Sequence, residues 1–256
     1  WDAAFSVQVR EVLTQRDDEA RDLSQIEDAL TTRFGDDAFH RVIYTESHDE
    51  VANGKARLPE EIWPGNARSW PSKKRSTLGA TLVMTAPGIP MLFQGQEFLE
   101  GRWFDDEDPL DWRLRDEVPG IVQLYRDLLH LRLNSEGESR GLTGQHLEVL
   151  HVDPETKVLA YHRWAEGGSG DSTVVVLNFR NSYVDDFLLG FPKAGLWRLR
   201  FDSHAGVCDD EFVDPVSADV EANTDKAEDY PAAGLVSLAP YSAVIYSQDT
   251  EGTGGH

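Results

Sequence analysis

The densest group of chemistry-bearing side chains is Glu46-Ser47-His48-Asp49-Glu50, five polar residues that follow the apolar run Val42-Ile43-Tyr44. A strand that delivers polar residues at one end suits carboxylate–imidazole chemistry. His48 would donate hydrogen bonds to hydroxyls and Asp49 would accept them. The competing reading is a helix N-cap, with Ser47 or Asp49 satisfying the first free amides of the next element. The group is a poor metal site, because no second histidine stands at a ligand spacing and His40 lies across the strand. A second candidate, Gln94-Gly95-Gln96-Glu97, closes the apolar run 89–93. Glu97 reads there as a structural carboxylate that pairs with arginines. Trp63, Trp70, Trp103 and Trp112 fall in the loops after these two runs. Indole faces stack on the apolar faces of sugar rings, although tryptophan also anchors loops by burial. Lys73-Lys74-Arg75 reads as a surface patch at a helix start.

Those groups need elements to position them. Phe5, Val9, Val12 and Leu13 follow helical spacing, and a second helical pattern runs through Ile26, Leu30 and Phe34 to Gly35. The runs 42–44 and 89–93 read as buried strands, with a long loop from the first to about Pro71 and a buried helix over 76–85. Residues 121–133 form a strong amphipathic helix. Two strands, each ending in polar residues and separated by a helix, match a (β/α)8 TIM barrel, whose chemistry sits at the C-terminal strand ends. Two such units are a quarter of a barrel and cannot close a sheet. The chain is therefore a doubly wound fragment or the closing end of a barrel. After Asn134 short β-rich runs appear at 147–152, 158–164, 173–179, 183–189, 196–202 and 242–247, separated by turn clusters, which predicts an antiparallel β-sandwich with a core of its own. The expected division is 1–140 for the barrel part and 141–256 for the sandwich, with residues 251–256 frayed.

The 256 residues are 40% apolar and 27% charged, a globular composition that excludes wholesale disorder. The net charge is −22, with 17 basic and 27 acidic residues up to position 140 and 7 and 19 beyond it. Acidity on this scale excludes nucleic acid or an anionic membrane as a partner for a basic face. A neutral, hydroxyl-rich or cationic partner suits it better. The basic residues divide into 6 Lys and 18 Arg, and an acidic, Lys-poor surface also fits a high-salt cytoplasm. A single cysteine, Cys208, excludes an intrachain disulfide and a Cys-rich zinc site. No apolar run approaches the roughly 18 residues of a membrane span.

Several segments carry a family resemblance. YTESHDEVANGK (44–55), APGIPMLFQGQEF (86–98) and PLDW (109–112) resemble the α-amylase superfamily of glycoside hydrolases and transglycosylases, most closely its 1,4-α-glucan branching enzymes. WDAAF (1–5) resembles the segment after the sixth barrel strand. VVVLNF (174–179), GFPKAGLWRLRF (190–201) and LAPYSAVIYS (238–247) resemble the superfamily's C-terminal β-sandwich. The resemblance implies that the runs 42–44 and 89–93 are barrel strands seven and eight. It implies that Asp49 hydrogen-bonds the 2- and 3-hydroxyls of the sugar being cleaved and stabilises an oxocarbenium-like transition state, that His48 binds the same sugar, and that Glu97 is structural. The retaining mechanism needs two carboxylates about 5–5.5 Å apart. In the family these lie on strands four and five, which this sequence does not contain. The expectation is the C-terminal portion of a cytoplasmic branching enzyme, inactive without the missing N-terminal part, acting on glycogen, starch or maltooligosaccharide with no organic cofactor and no metal. A hydrolase of the same superfamily, α-amylase-type or trehalose-releasing, is the near alternative. A non-catalytic glucan-binding module is the alternative of another class.

Overall fold

The structure, a computed structural model, describes residues 1–212, 216–224 and 230–250, so the expected fraying of 251–256 lies outside the described residues. Helix α1 (Ala3–Thr14) buries Phe5, Val9, Val12 and Leu13 on one face. Its N-cap Asp2 accepts a 3.1 Å bond from the Phe5 amide, and its second oxygen lies 3.3 Å from buried Arg41. Helix α2 (Ser24–Thr31) buries Ile26 and Leu30 but stops short of Phe34, which is exposed. The hydroxyls of Thr31 and Thr32 turn back onto the Glu27 and Asp28 carbonyls, at 2.8 and 2.7 Å, and occupy acceptors at the helix end.

Strand β1 (Val42–Ile43) pairs in parallel with β2 (Ile89–Pro90), Val42 opposite Ile89. The second strand is shorter than the five-residue run predicted, and it is not buried: Ile89 is 48% exposed and residues 91–93 are half-buried. Ile89 and Met91 donate to β1 at 2.9 Å each, while Pro90 has no amide to offer on the outer edge. The predicted long loop is broken by α3 (His48–Val51) and α4 (Leu58–Ile62), and α5 (Trp70–Thr85) starts well before Ser76. Ser69 caps α5, and Pro71 fits its first turn. Lys73-Lys74-Arg75 is consequently no surface patch. Lys74 and Arg75 are buried, because α1 covers one side of α5 and the turn 203–212 covers another. Helices α6 (Leu114–Glu117) and α7 (Pro119–Arg132) follow. No helix among the described residues is long and apolar enough to cross a membrane.

The remaining strands are β3 (His146–Asp153), β4 (Val158–Trp164), β5 (Ser172–Asn178), β6 (Val184–Phe191), β7 (Gly195–Asp202), β8 (Val220–Ala222), β9 (Ala232–Leu238) and β10 (Ser242–Ser247). Six form one antiparallel sheet in the order β3-β4-β5-β10-β7-β8, and β6 pairs with β9 as a second layer. All six runs read from the sequence are strands; β8 and β9 were not anticipated. The outward polar face expected of sandwich strands is missing from β5 and β10, which are buried at every position. Val174, Val176, Trp197 and Tyr246 belong to a core made within the β part. Val175, Leu177 and Ile245 point the other way, into a core shared with α1, α2, α5 and α7. A strand covered on both faces cannot alternate.

Buried cations stitch the two parts together. Arg132 donates to the Ala86 carbonyl at 2.8 Å, and Arg163 donates to the Thr85 carbonyl and, at 3.0 Å, to that of His146. Both thus satisfy acceptors at the end of α5. Burial pulls the Arg163 guanidinium down to about 9. Lys157 Nζ reaches the carbonyls of Glu19 and Arg21 at 2.9 Å each. Gly120, at the start of α7, lies so close to the turn 203–212 that a Cβ there would sit 2.3 Å from the Cys208 carbonyl oxygen.

Candidate functional site

The polar residues after β1 divide into a buried base and an exposed tip. Glu46 is fully buried. One of its oxygens accepts from the Leu58 amide at 2.7 Å and the other lies 3.2 Å from Arg57 Nη1. Burial pushes its carboxyl up from the ordinary range, against the pull of Arg57. Arg57 is itself buried, donates to the carbonyls of Gln94 at 2.8 Å and Arg102 at 3.0 Å, and lies 4.9 Å from the Phe93 ring centre. Gln96 adds a 2.7 Å bond to Thr45. The two strand-end loops are therefore locked to each other from below.

Ser47 caps α3, accepting from the Asp49 amide at 3.2 Å and bonding back to Glu50. The cap and the chemical reading thus coexist, because the cap uses Ser47 and leaves His48 and Asp49 free at the rim. Their side chains are 53% and 73% exposed, with Nε2 and Oδ1 3.3 Å apart. Lys55 Nζ holds the Asp49 carbonyl at 2.8 Å. The Trp1 ring stands edge-on to His48 at 5.5 Å and to Tyr44 at 5.8 Å. Neither Trp1 nor Tyr44 was picked from the sequence. Trp1 reaches this place because the Asp2 amide donates to the Val42 carbonyl at 2.9 Å, which ties the start of α1 to β1. An exposed imidazole–carboxylate pair beside an indole edge can bind and orient hydroxyls.

The other predicted residues do not gather at this pair. Glu97 is half-buried on a cleft of about 420 Å³ beside Trp112 and Tyr125. It makes no ion pair among the described residues; the buried carboxylates near it that do pair with arginine are Glu46 and Glu100. Trp103 lies near Arg57 and Arg102, and Trp112 tilts against Phe98 at 5.5 Å. Trp70 is not in a loop; it opens α5 and packs 6.0 Å from Tyr241. Trp63, at the end of α4, lines the same neighbourhood. The four tryptophans share no one surface: Trp103 and Trp112 stay with the loop after β2, whereas the helices α4 and α5 bring Trp63 and Trp70 beside Tyr241. Among the described residues no three His, Cys, Asp or Glu side chains converge on a metal-sized site.

Residues 149–249 match the family described as alpha amylase, C-terminal all-beta domain. A 1,4-alpha-glucan branching enzyme of Methylobacillus flagellatus is 35% identical over 62% of this chain and 22% of its own length. One from Mycobacterium tuberculosis is 30% identical over 77% of this chain and 27% of its own. The chain thus spans about a quarter of the length of the curated relatives it matches. A pullulanase from an Anoxybacillus species, solved with maltotriose, superposes on 96% of this chain and 34% of its own with a TM-score of 0.65 at 19% identity, which is likeness of fold. Residues 149–249 are therefore similar to the alpha-amylase C-terminal all-beta domain, in a chain that resembles 1,4-alpha-glucan branching enzymes over as much as 77% of its length.

Proposed function

We propose that β1 and β2 are the seventh and eighth strands of a (β/α)8 catalytic barrel, that residues 141–256 are the sandwich following it, and that the whole protein is a cytoplasmic α-glucan branching enzyme. Its reaction would cleave an α-1,4 linkage, hold the glycosyl group covalently, and pass it to a 6-hydroxyl of glycogen, starch or a maltooligosaccharide. In this reading Asp49 and His48 grip the hydroxyls of the sugar at the cleavage point. Their bonds strengthen as the ring flattens toward the oxocarbenium-like transition state. Trp1 would border the same sugar. The observation that carries the reading is the His48–Asp49 pair, presented free at the end of a parallel strand whose base is clamped by Glu46 and Arg57. Clamping matters because preorganised groups pay no reorganisation cost when charge develops.

The covalent chemistry needs two further carboxylates that the resemblance places outside these 256 residues, so the chain alone should neither cleave nor branch amylose. The test uses the complete parent. Branching changes iodine staining without new reducing ends, whereas new reducing ends would identify a hydrolase. Asp49→Asn should cost about 2–4 kcal/mol of transition-state stabilisation, mostly in kcat, with the fold unchanged by circular dichroism. A kcat within about threefold of the parent's, with only KM raised, would reduce Asp49 to a ground-state contact.

A further inference from the structure

The tryptophan turned away from Asp49 stands in a built cleft of its own. We propose that this cleft, between Trp63 and Tyr241, is a second α-glucan site that holds a chain segment without cleaving it. The inference rests on the glucan reading above for its ligand class, but not on the role of Asp49.

The cleft measures about 360 Å³, toward the lower end of the roughly 300–1,000 Å³ typical of ligand pockets, and suits a disaccharide-sized segment. Four stretches of chain build it. Trp63, Pro71 and Arg75 come from α4 and α5, Arg16 follows α1, and Asn181 and Tyr241 belong to the β part. Neither His48 nor Asp49 lines it. The walls are pinned in place by Asp18, which accepts 2.6 Å from the Tyr241 hydroxyl and 2.8 Å from the Asn181 amide, and pairs with Arg21 at 2.9 Å. A site held this way loses little freedom on binding.

The chemistry of the lining selects a neutral, hydroxyl-rich ligand. Arg21 and Arg75 lie 4.8 and 5.6 Å from the Tyr241 ring centre. They are already engaged by backbone carbonyls, Arg75 with Leu13 and Gln15 at 3.0 and 2.9 Å, and Arg21 with Gln15 at 2.6 Å. Among the described residues, Arg16 and the Asn181 carboxamide make no hydrogen bond or ion pair. Trp63 is 52% exposed and makes no ring contact there. An aromatic face with two free donors at its edge fits a pyranose, which stacks one apolar face and offers hydroxyls around its rim. One unengaged guanidinium, in a chain of net charge −22, is a weak lure for an anion.

The test titrates the 256-residue chain with maltotetraose, followed by calorimetry and by retardation in glycogen-containing native gels. Trp63→Ala should raise Kd at least about tenfold, the usual weight of a central tryptophan anchor, and Asn181→Ala should raise it by less. Asp49→Asn should leave it within about twofold. Because Trp63 is half-exposed, its removal should leave the far-ultraviolet circular dichroism and the urea unfolding midpoint of the chain unchanged. No binding, binding indifferent to Trp63→Ala, or binding lost equally on Asp49→Asn would overturn the second site. Competition by inorganic phosphate would overturn it in favour of an anion site. The outcomes separate from those for the branching reading. A parent that only hydrolyses, with Trp63-dependent binding intact, removes that reading and leaves this site. A parent that branches, with binding indifferent to Trp63, removes this site alone.

Discussion

The pair β1–β2 and the pair β5–β10 contribute to the same helix-lined core and differ in almost every other respect. The first is two residues long, and Ile89 is nearly half exposed. The second pairs six residues with six and is buried on both faces. Yet the candidate chemistry stands on the first. The contrast teaches that sheet burial does not hold His48 and Asp49 in place. A buried ion pair beneath them does, while the bulk of the apolar burial lies where β5 and β10 face two cores at once.

The largest effect should come from the core that one face of β5 and β10 shares with Trp197 of β7. Trp197→Ala empties a fully buried site in the inner core and should cost about 3–5 kcal/mol in urea unfolding. A cost below about 1 kcal/mol would break the comparison. Arg57→Met leaves the Glu46 carboxylate buried without its partner, and a loss of about 3 kcal/mol is expected. Its sharper signature is early amide exchange in residues 45–50 and 94–97, against unchanged protection in β5.

A smaller effect is read through pH. In the unfolded chain Lys74 keeps its proton to about 10.5, and burial in the fold pulls it down to about 7. The groups facing it are His204 at 3.0 Å, Phe212, Asp202 and Cys208, with Lys73 beside it engaged by Asp209 and Glu211. Between those pH values the unfolded state binds the extra proton. Stability therefore rises with pH across the window, by at most about 1.4 kcal/mol per unit, and the penalty is complete below about 7. Lys74→Met should flatten that rise; an unchanged slope would show that Lys74 stays charged in the fold. At the far end, Ile89→Ala should move stability by no more than about 0.5 kcal/mol, as befits a thinly covered strand.

The sequence was most legible where side-chain period and burial agree. The six strands of 147–202 and 242–247 announced themselves by β-branched runs between turn residues, and α1 and α7 by their apolar stripes. Strand β9 escaped because Ala232, Ala233 and Gly234 carry little β signal, and β8 because three residues carry no period. The start of α5 escaped because Pro71 and a polar run read as loop. The burial of Lys74 and Arg75 was illegible for a deeper reason. Their partners, His204, Leu13 and Gln15, are 60 or more residues away, and no local pattern encodes them. The His48–Asp49 pair was legible as a motif, whereas the separation of Trp63 from it depends on how α4 and α5 lie against Tyr241.

Cys208 gives the molecule a built-in alkylation clock. It is the only thiol in the chain, 3% exposed, within a turn that α7 approaches so closely that position 120 admits no side chain. Burial pushes the thiol up to about 12, so at neutral pH the closed form offers almost no reactive thiolate. A maleimide or disulfide reagent must wait until the turn lifts away from α7. Its second-order rate, divided by that of a free thiol, then equals the fraction of time the helices and the sheet are apart at this point. Parting of the two halves can thus be timed on the unaltered chain, and a ligand bridging Trp63 and Tyr241 should slow the clock.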